Sequence, residues 1–169
     1  MHYTSSGLLF VLMLLLPLPI LGLPDHKDLT GERYPSGTPP DGRRTLDHQF
    51  GIIQLPIEAR DEASSQSIAC IDRDTAIISI TDGVLKDSSG RTGCIVANRQ
   101  FLFDHPPLQH DLLFSGGFSV GKNGLLALGK DDVFYACPSE REGYSKLYDM
   151  RIADYCRPVL LEIVKLAHR

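Results

Sequence analysis

Ser119 lies in the stretch Gly116 to Gly124, GGFSVGKNG, where two catalytic patterns overlap. Gly117-Phe118-Ser119-Val120-Gly121 reads G-x-S-x-G, the turn that presents a serine nucleophile in esterases, while Gly116 to Lys122 reads G-x-x-x-x-G-K, most of a phosphate-cradling loop. Each chemistry demands its own setting. The serine needs a strand, a strained turn and a helix within a large α/β sheet, with an acid and a histidine as partners. The phosphate loop must open a helix, and Asn123 stands where a Ser or Thr would hold magnesium. Among the acids, Asp131 and Asp132 are adjacent and could serve as a glycosidase pair with Asp82, Asp87 or Asp104. The last three fall in turns, where Asp ordinarily makes local hydrogen bonds. Exposed rings among Phe101, Phe103, Phe134, Tyr135, Tyr144 and Tyr148 would stack on sugars, although the alternation in QFLF reads Phe101 and Phe103 as core. His105 and His110 share a Pro-containing loop and read as solvated.

The elements around these residues decide between the readings. TAIISI is followed by Thr81-Asp82-Gly83, VLKD by Ser88-Ser89-Gly90, CIVANRQFLF by Asp104-His105-Pro106-Pro107, and DVFYAC by Pro138. Short β-rich runs punctuated by turn residues predict one all-β domain, an antiparallel β-sandwich or small barrel. Asn123-Gly124 predicts a type I′ hairpin, so the segment after Ser119 turns back into a strand, LLALG, and starts no helix. Neither catalytic pattern therefore finds its setting. The glycines read instead as positions of close packing or a bulge. PVLLEIVKLAH fits a helix face through Leu160, Ile163, Val164 and Ala167 and a strand through Val159, Leu161 and Ile163; the strand is preferred.

Leu8 to Leu16, LLFVLMLLL, followed by Pro17 and Pro19, has the length of a signal-peptide core and about half of what a bilayer span requires, so residues 1–23 read as a cleaved leader. The chain is expected to be secreted, with no membrane partner once the leader is gone. Residues 24–44 are rich in Gly, Pro and charge and are expected to be disordered. They end in Arg43-Arg44, a dibasic pair of the kind that late secretory proteases cut when it is exposed. Residues 45–67 read as a linker whose FGIIQLPIEA forms a short docking strand, and residues 68–169 as the domain. A net charge of −4 without a basic stripe excludes nucleic acid as a partner. Four cysteines without metal-ligand spacing point to disulfides, and no cofactor is implied.

ITDGVLKDSSGRTGCIVANRQFLFDHPP, GGFSVGKNGLLALGKDDVFYAC and YSKLYD together resemble the carboxy-terminal cysteine domain of the fungal PIR family, the cell-wall mannoproteins with internal repeats. The resemblance runs from Cys70 onward, and the spacing of Cys70 from Cys137 equals the family's first cysteine interval. It implies a secreted structural protein, not an enzyme, trimmed after Arg44 and associated with cell-wall glucan or other wall proteins. A soluble effector-like or carbohydrate-binding protein is the alternative.

Three departures qualify what carries over. Relatives place repeats, each with a glutamine esterified to β-1,3-glucan, before the cysteine domain; here neither Gln49 nor Gln54 lies in a D-G-Q type motif. The interval from Cys137 to Cys156 is slightly longer than the family's usual one, a difference that a loop at SEREG can absorb. The family's last cysteine falls at Arg169, and Cys94 is an addition. A Cys137–Cys156 bridge would close a short loop and stabilise the domain by roughly 3 kcal/mol. Cys70 and Cys94 then remain, to pair if their strands are adjacent and otherwise to stay free.

Overall fold

The computed structural model describes residues 34–64, 67–71, 75–106, 108, 111–141 and 143–167. The expected leader lies outside them, as does the first part of the segment expected to be disordered. The described chain is almost entirely β: β1 (Phe50–Pro56), β2 (Ile68–Cys70), β3 (Ile78–Thr81), β4 (Val84–Asp87), β5 (Thr92–Val96), β6 (Gln100–Asp104), β7 (Leu112–Phe114), β8 (Phe118–Val120), β9 (Leu126–Leu128), β10 (Val133–Pro138), β11 (Ser145–Tyr148) and β12 (Arg157–Ala167). One 3-10 helix, Ile57–Glu62, follows β1.

Of the two architectures expected, the barrel is the one that forms. β1 runs antiparallel to β12 from Phe50↔Lys165 to Pro56↔Val159, and its other edge meets β3 at Phe50↔Ile78. From β3 the order runs through β4, β5, β6, β11 and β10 back to β12, so eight strands close a ring. β2 lies parallel to the far end of β12, and β7 pairs with β5. Closure leaves few unpaired strand edges, the usual liability of an all-β domain. The stretch that reads as linker therefore supplies a ring strand, and Leu46 before it is 8% exposed in the core.

β12 explains why its own sequence is ambiguous. Leu160 to Val164 are all buried, so the strand shows no alternation of apolar and polar residues. Leu161 and Ile163 belong to the main core, while Glu162 on the opposite face is also buried. The Glu162 Oε1 accepts the Ser64 N–H at 2.8 Å and the Ser67 hydroxyl at 2.7 Å. A buried carboxylate is tolerable only with such donors.

β8 and β9 form a separate hairpin that seals the core. Phe118, Val120, Leu126 and Leu128 project into it, and Phe118 packs 5.4 Å, centroid to centroid, from Phe101. The connecting Asn123-Gly124 turn differs from the type I′ expectation. Gly124 N–H donates to the Gly121 carbonyl at 3.0 Å and Gly124 alone of the two has positive φ, at 79°, which makes a three-residue type I turn with a glycine bulge. The type I′ geometry is found at Asp82-Gly83, both residues with positive φ, between β3 and β4.

The hairpin's other face is covered by residues 34–44. Arg43 bridges to Val120 with both backbone hydrogen bonds at 2.9 Å, extending the small sheet. Side chains at Gly116 and Gly117 would run into Tyr34 and Pro35, so the two glycines of the opening motif are where this strap lies closest. The described part of the segment expected to be disordered is thus hydrogen-bonded to the domain.

Candidate ligand-binding cleft

Ser119 is fully buried in β8, beneath Gly42 of the strap. Its strand leads into a turn and a second strand, so the residue has the surroundings of a packing position, and its hydroxyl has no hydrogen-bond partner. Ser119→Ala is accordingly expected to leave stability unchanged or raise it by up to about 0.5 kcal/mol, because an unsatisfied buried hydroxyl costs more than it contributes. Chemical denaturation checks this. A loss above about 1 kcal/mol, the centre of the range for point substitutions, or labelling of Ser119 by a serine-hydrolase probe would contradict it. Lys122 is exposed and pairs with Asp41 of the strap at 3.0 Å.

The other candidates scatter. Asp87 pairs with Arg91 at 2.6 Å and accepts the backbone N–H groups of Ser89 and Arg91, the local role expected of a turn aspartate. Asp132 holds Arg60 of the 3-10 helix through both of its oxygens. Phe101 packs against Phe103 and Phe134 as well as Phe118, which consumes these rings in the core. Tyr144 is exposed beneath the Arg141 guanidinium at 4.0 Å. His105 is exposed, and His110 lies outside the described residues. No group of three or more metal-ligating side chains occurs among the described residues. Arg43 and Arg44 have exposed side chains but engaged backbones: the Arg44 carbonyl accepts the Gly83 N–H at 2.8 Å and its guanidinium donates to the Asp82 carbonyl at 2.6 Å.

Cys137 and Cys156 are bonded, with Cα atoms 4.3 Å apart, and form a second small cluster with Tyr148. Cys70 and Cys94 are not, and the pairing entertained for them is corrected by topology. Cys70 is exposed in β2 beside β12, whereas Cys94 is buried in β5, which stands four positions from β12 either way round the ring. Burial, with the charges of Asp104 and Asp111, pushes the Cys94 thiol up to about 11, so it remains a protonated, unreactive thiol.

A charged cleft forms where the sequence offers no signal for one. Pro35, Arg99, Phe114, Leu128, Asp131, Val133, Phe134 and Asp149 line a cavity of about 130 Å³. The β5–β6 turn, Ala97-Asn98-Arg99, repeats the geometry of the Asn123-Gly124 turn: Arg99 N–H donates to the Val96 carbonyl at 2.7 Å, and the Asn98 side chain accepts the Gln100 N–H at 3.0 Å. Arg99 takes the left-handed position with φ 71°, where the other turn uses glycine. Such a conformation costs a residue with a side chain roughly 1 kcal/mol or more. The Arg99 guanidinium lies 5.8 Å from the Phe114 ring centroid and donates to Asp149 Oδ2 at 2.6 Å. The Asp149 side chain is only 6% exposed. Burial raises its carboxyl above the ordinary range against the pull of Arg99, and Asp131 adds to the rise. Arg99 Nε and Asp149 Oδ1 are both buried without a partner.

Residues 83–159 match the family described as cell wall mannoprotein PIR1-like, C-terminal domain. This stretch is thus similar to a PIR-family C-terminal domain. The match begins at Gly83 of the β3–β4 turn and ends at Val159 in β12, and it includes Arg99, Asp131 and Asp149. Among similar proteins, the cell wall protein PIR5 of Saccharomyces cerevisiae strain YJM789 is 50% identical over 98 residues, which are 58% of this chain and 33% of that protein. The cell wall mannoprotein CIS3 of S. cerevisiae strain ATCC 204508 / S288c is 44% identical over 103 residues, 61% of this chain and 44% of that protein. The chain thus spans about a third to under half of these relatives' lengths. No solved structure matches the chain.

Proposed function

We propose that this chain is a secreted fungal structural protein of the cell wall, non-enzymatic and without glucan-ester repeats. The observation that supports it best is a PIR domain in which the one serine in a nucleophile-type motif is buried under the strap. Residues 1–23 are its leader, residues 24–44 a pro-segment, and cleavage after Arg44 leaves Thr45 first. That cut requires the strap to open, because the backbone of Arg43 and the carbonyl of Arg44 are engaged. Gln54 lies in β1 opposite Leu161, a ring position and not a repeat. Attachment to the wall therefore rests on thiols, of which Cys70 is exposed, or on non-covalent binding of glucan. The alternative, a soluble carbohydrate-binding protein of effector type, draws on the cleft alone.

Sequential extraction of intact walls tests the proposal. The protein should be recovered with washed walls, be released by hot detergent with reducing agent, show no release specific to mild alkali, and begin at Thr45 by amino-terminal sequencing. Recovery only from the culture fluid would favour the alternative, and a glucan remnant esterified to Gln49 or Gln54 would refute the attachment.

A further inference from the structure

The geometry points to a neutral saccharide as the ligand of the cleft, its hydroxyls engaging the Arg99–Asp149 pair, in which Arg99 Nε–H and Asp149 Oδ1 have no partner. Those two atoms are an unused donor and an unused acceptor on ion-paired side chains, in a protein interior where polar atoms normally find partners. A sugar hydroxyl donates and accepts through a single atom, the pairing that a small turn of the two side chains towards the cavity would complete. An anion would meet the charges of Asp149 and Asp131, and a cation would leave Nε–H without an acceptor. Phe114, Leu128, Val133 and Pro35 provide the apolar wall against which the C–H face of a sugar ring packs.

The way the cleft is built favours a binding role over incidental packing. Arg99, Asp131 and Asp149 come one each from the β5–β6 turn, the β9–β10 turn and the end of β11, three separate stretches brought to one opening. Arg99 occupies a backbone position that glycine would fill without strain, so the turn is held for the sake of the side chain. The inference rests on the wall reading only for its choice of probes.

Titrate the full chain, observed by backbone amide NMR, with a β-1,3-linked glucose hexamer and an α-linked mannose tetramer, and with glucosamine and glucuronate as charged comparators. At least one neutral oligomer should bind saturably and shift the amides of Arg99, Phe114 and Asp149. Asp149→Asn should weaken that binding by about tenfold or more, the scale of a hydrogen bond to a charged group. Asp131→Asn, at an exposed position, should weaken it a few-fold in a fully folded chain. Preference for either charged sugar, binding that Asp131→Asn and Asp149→Asn both leave intact, or cleft amides that no neutral oligomer moves would overturn the proposal. The last result in a protein that is still recovered with washed walls would leave the wall reading standing.

Discussion

Phe118→Ala is expected to destabilise the chain by about 3–5 kcal/mol, the range for removing a buried aromatic ring. Phe118 is 0% exposed and is the β8 side chain that meets the aromatic cluster of the barrel. Its loss leaves a cavity beside Phe101 that the closed ring cannot collapse to fill, since ring strands are fixed by hydrogen bonds on both edges. The adjacent residue, Ser119, faces the strap and should be nearly silent. Denaturant unfolding of the two variants side by side measures the contrast: the Phe118→Ala midpoint should fall sharply at similar slope. A Phe118→Ala loss below about 2 kcal/mol, short of the range for large-to-small core changes, would mean that the hairpin does not seal the core.

Arg99→Met should cost about 3–5 kcal/mol near neutral pH, because it leaves the Asp149 carboxylate buried beside no cation. Methionine keeps an apolar stem over Phe114, which isolates the loss of charge from the loss of packing. The cost should depend on pH in a definite direction. In the folded wild type the Asp149 carboxyl sits above its ordinary value of 3.8, so the folded chain binds that proton more tightly than the unfolded chain does. The group's contribution to stability is then fully present below the unfolded value and is lost as pH rises through the folded one. Removing Arg99 deletes the attraction that opposes burial and raises the folded value further. The deficit of Arg99→Met relative to wild type should therefore shrink as the pH is lowered from 7 towards 4. A deficit that stays constant across that range would show that Asp149 remains solvated and that the cleft is open to water.

The turns made the fold legible. Asp82-Gly83 and Asn123-Gly124 mark hairpins because few residues accept positive φ, and both hairpins form, although only the first is type I′. β12 was harder because both of its faces are covered, which removes the period that separates strand from helix. FGIIQLP gives no hint of its partner: its pairing with β12 spans the whole domain, and long-range pairing leaves no local trace. The strap reads as disordered because its composition offers little to bury. Its order comes instead from backbone bridges and from glycines on the other partner, Gly116 and Gly117. The cleft was illegible for a related reason. Arg99, Asp131 and Asp149 are ordinary turn residues until the ring brings β6, β10 and β11 together, and nothing in Ala97-Asn98-Arg99 announces that the arginine takes a glycine's conformation.

Ring closure also sets the tempo of folding. β1 and β12 register Phe50 against Lys165, so the seam joins the two ends of the domain and cannot form until nearly every intervening strand has found its place. Loop-closure entropy falls due before that seam yields any contact energy, which places the domain among slow, high-contact-order folders, on the scale of milliseconds to seconds. Until then β1, β3, β10 and β12 expose unpaired edges, and the apolar run of β12 is open to its neighbours in a crowded lumen. A chain built this way is most vulnerable to self-association while it matures, and least so once the circle is shut.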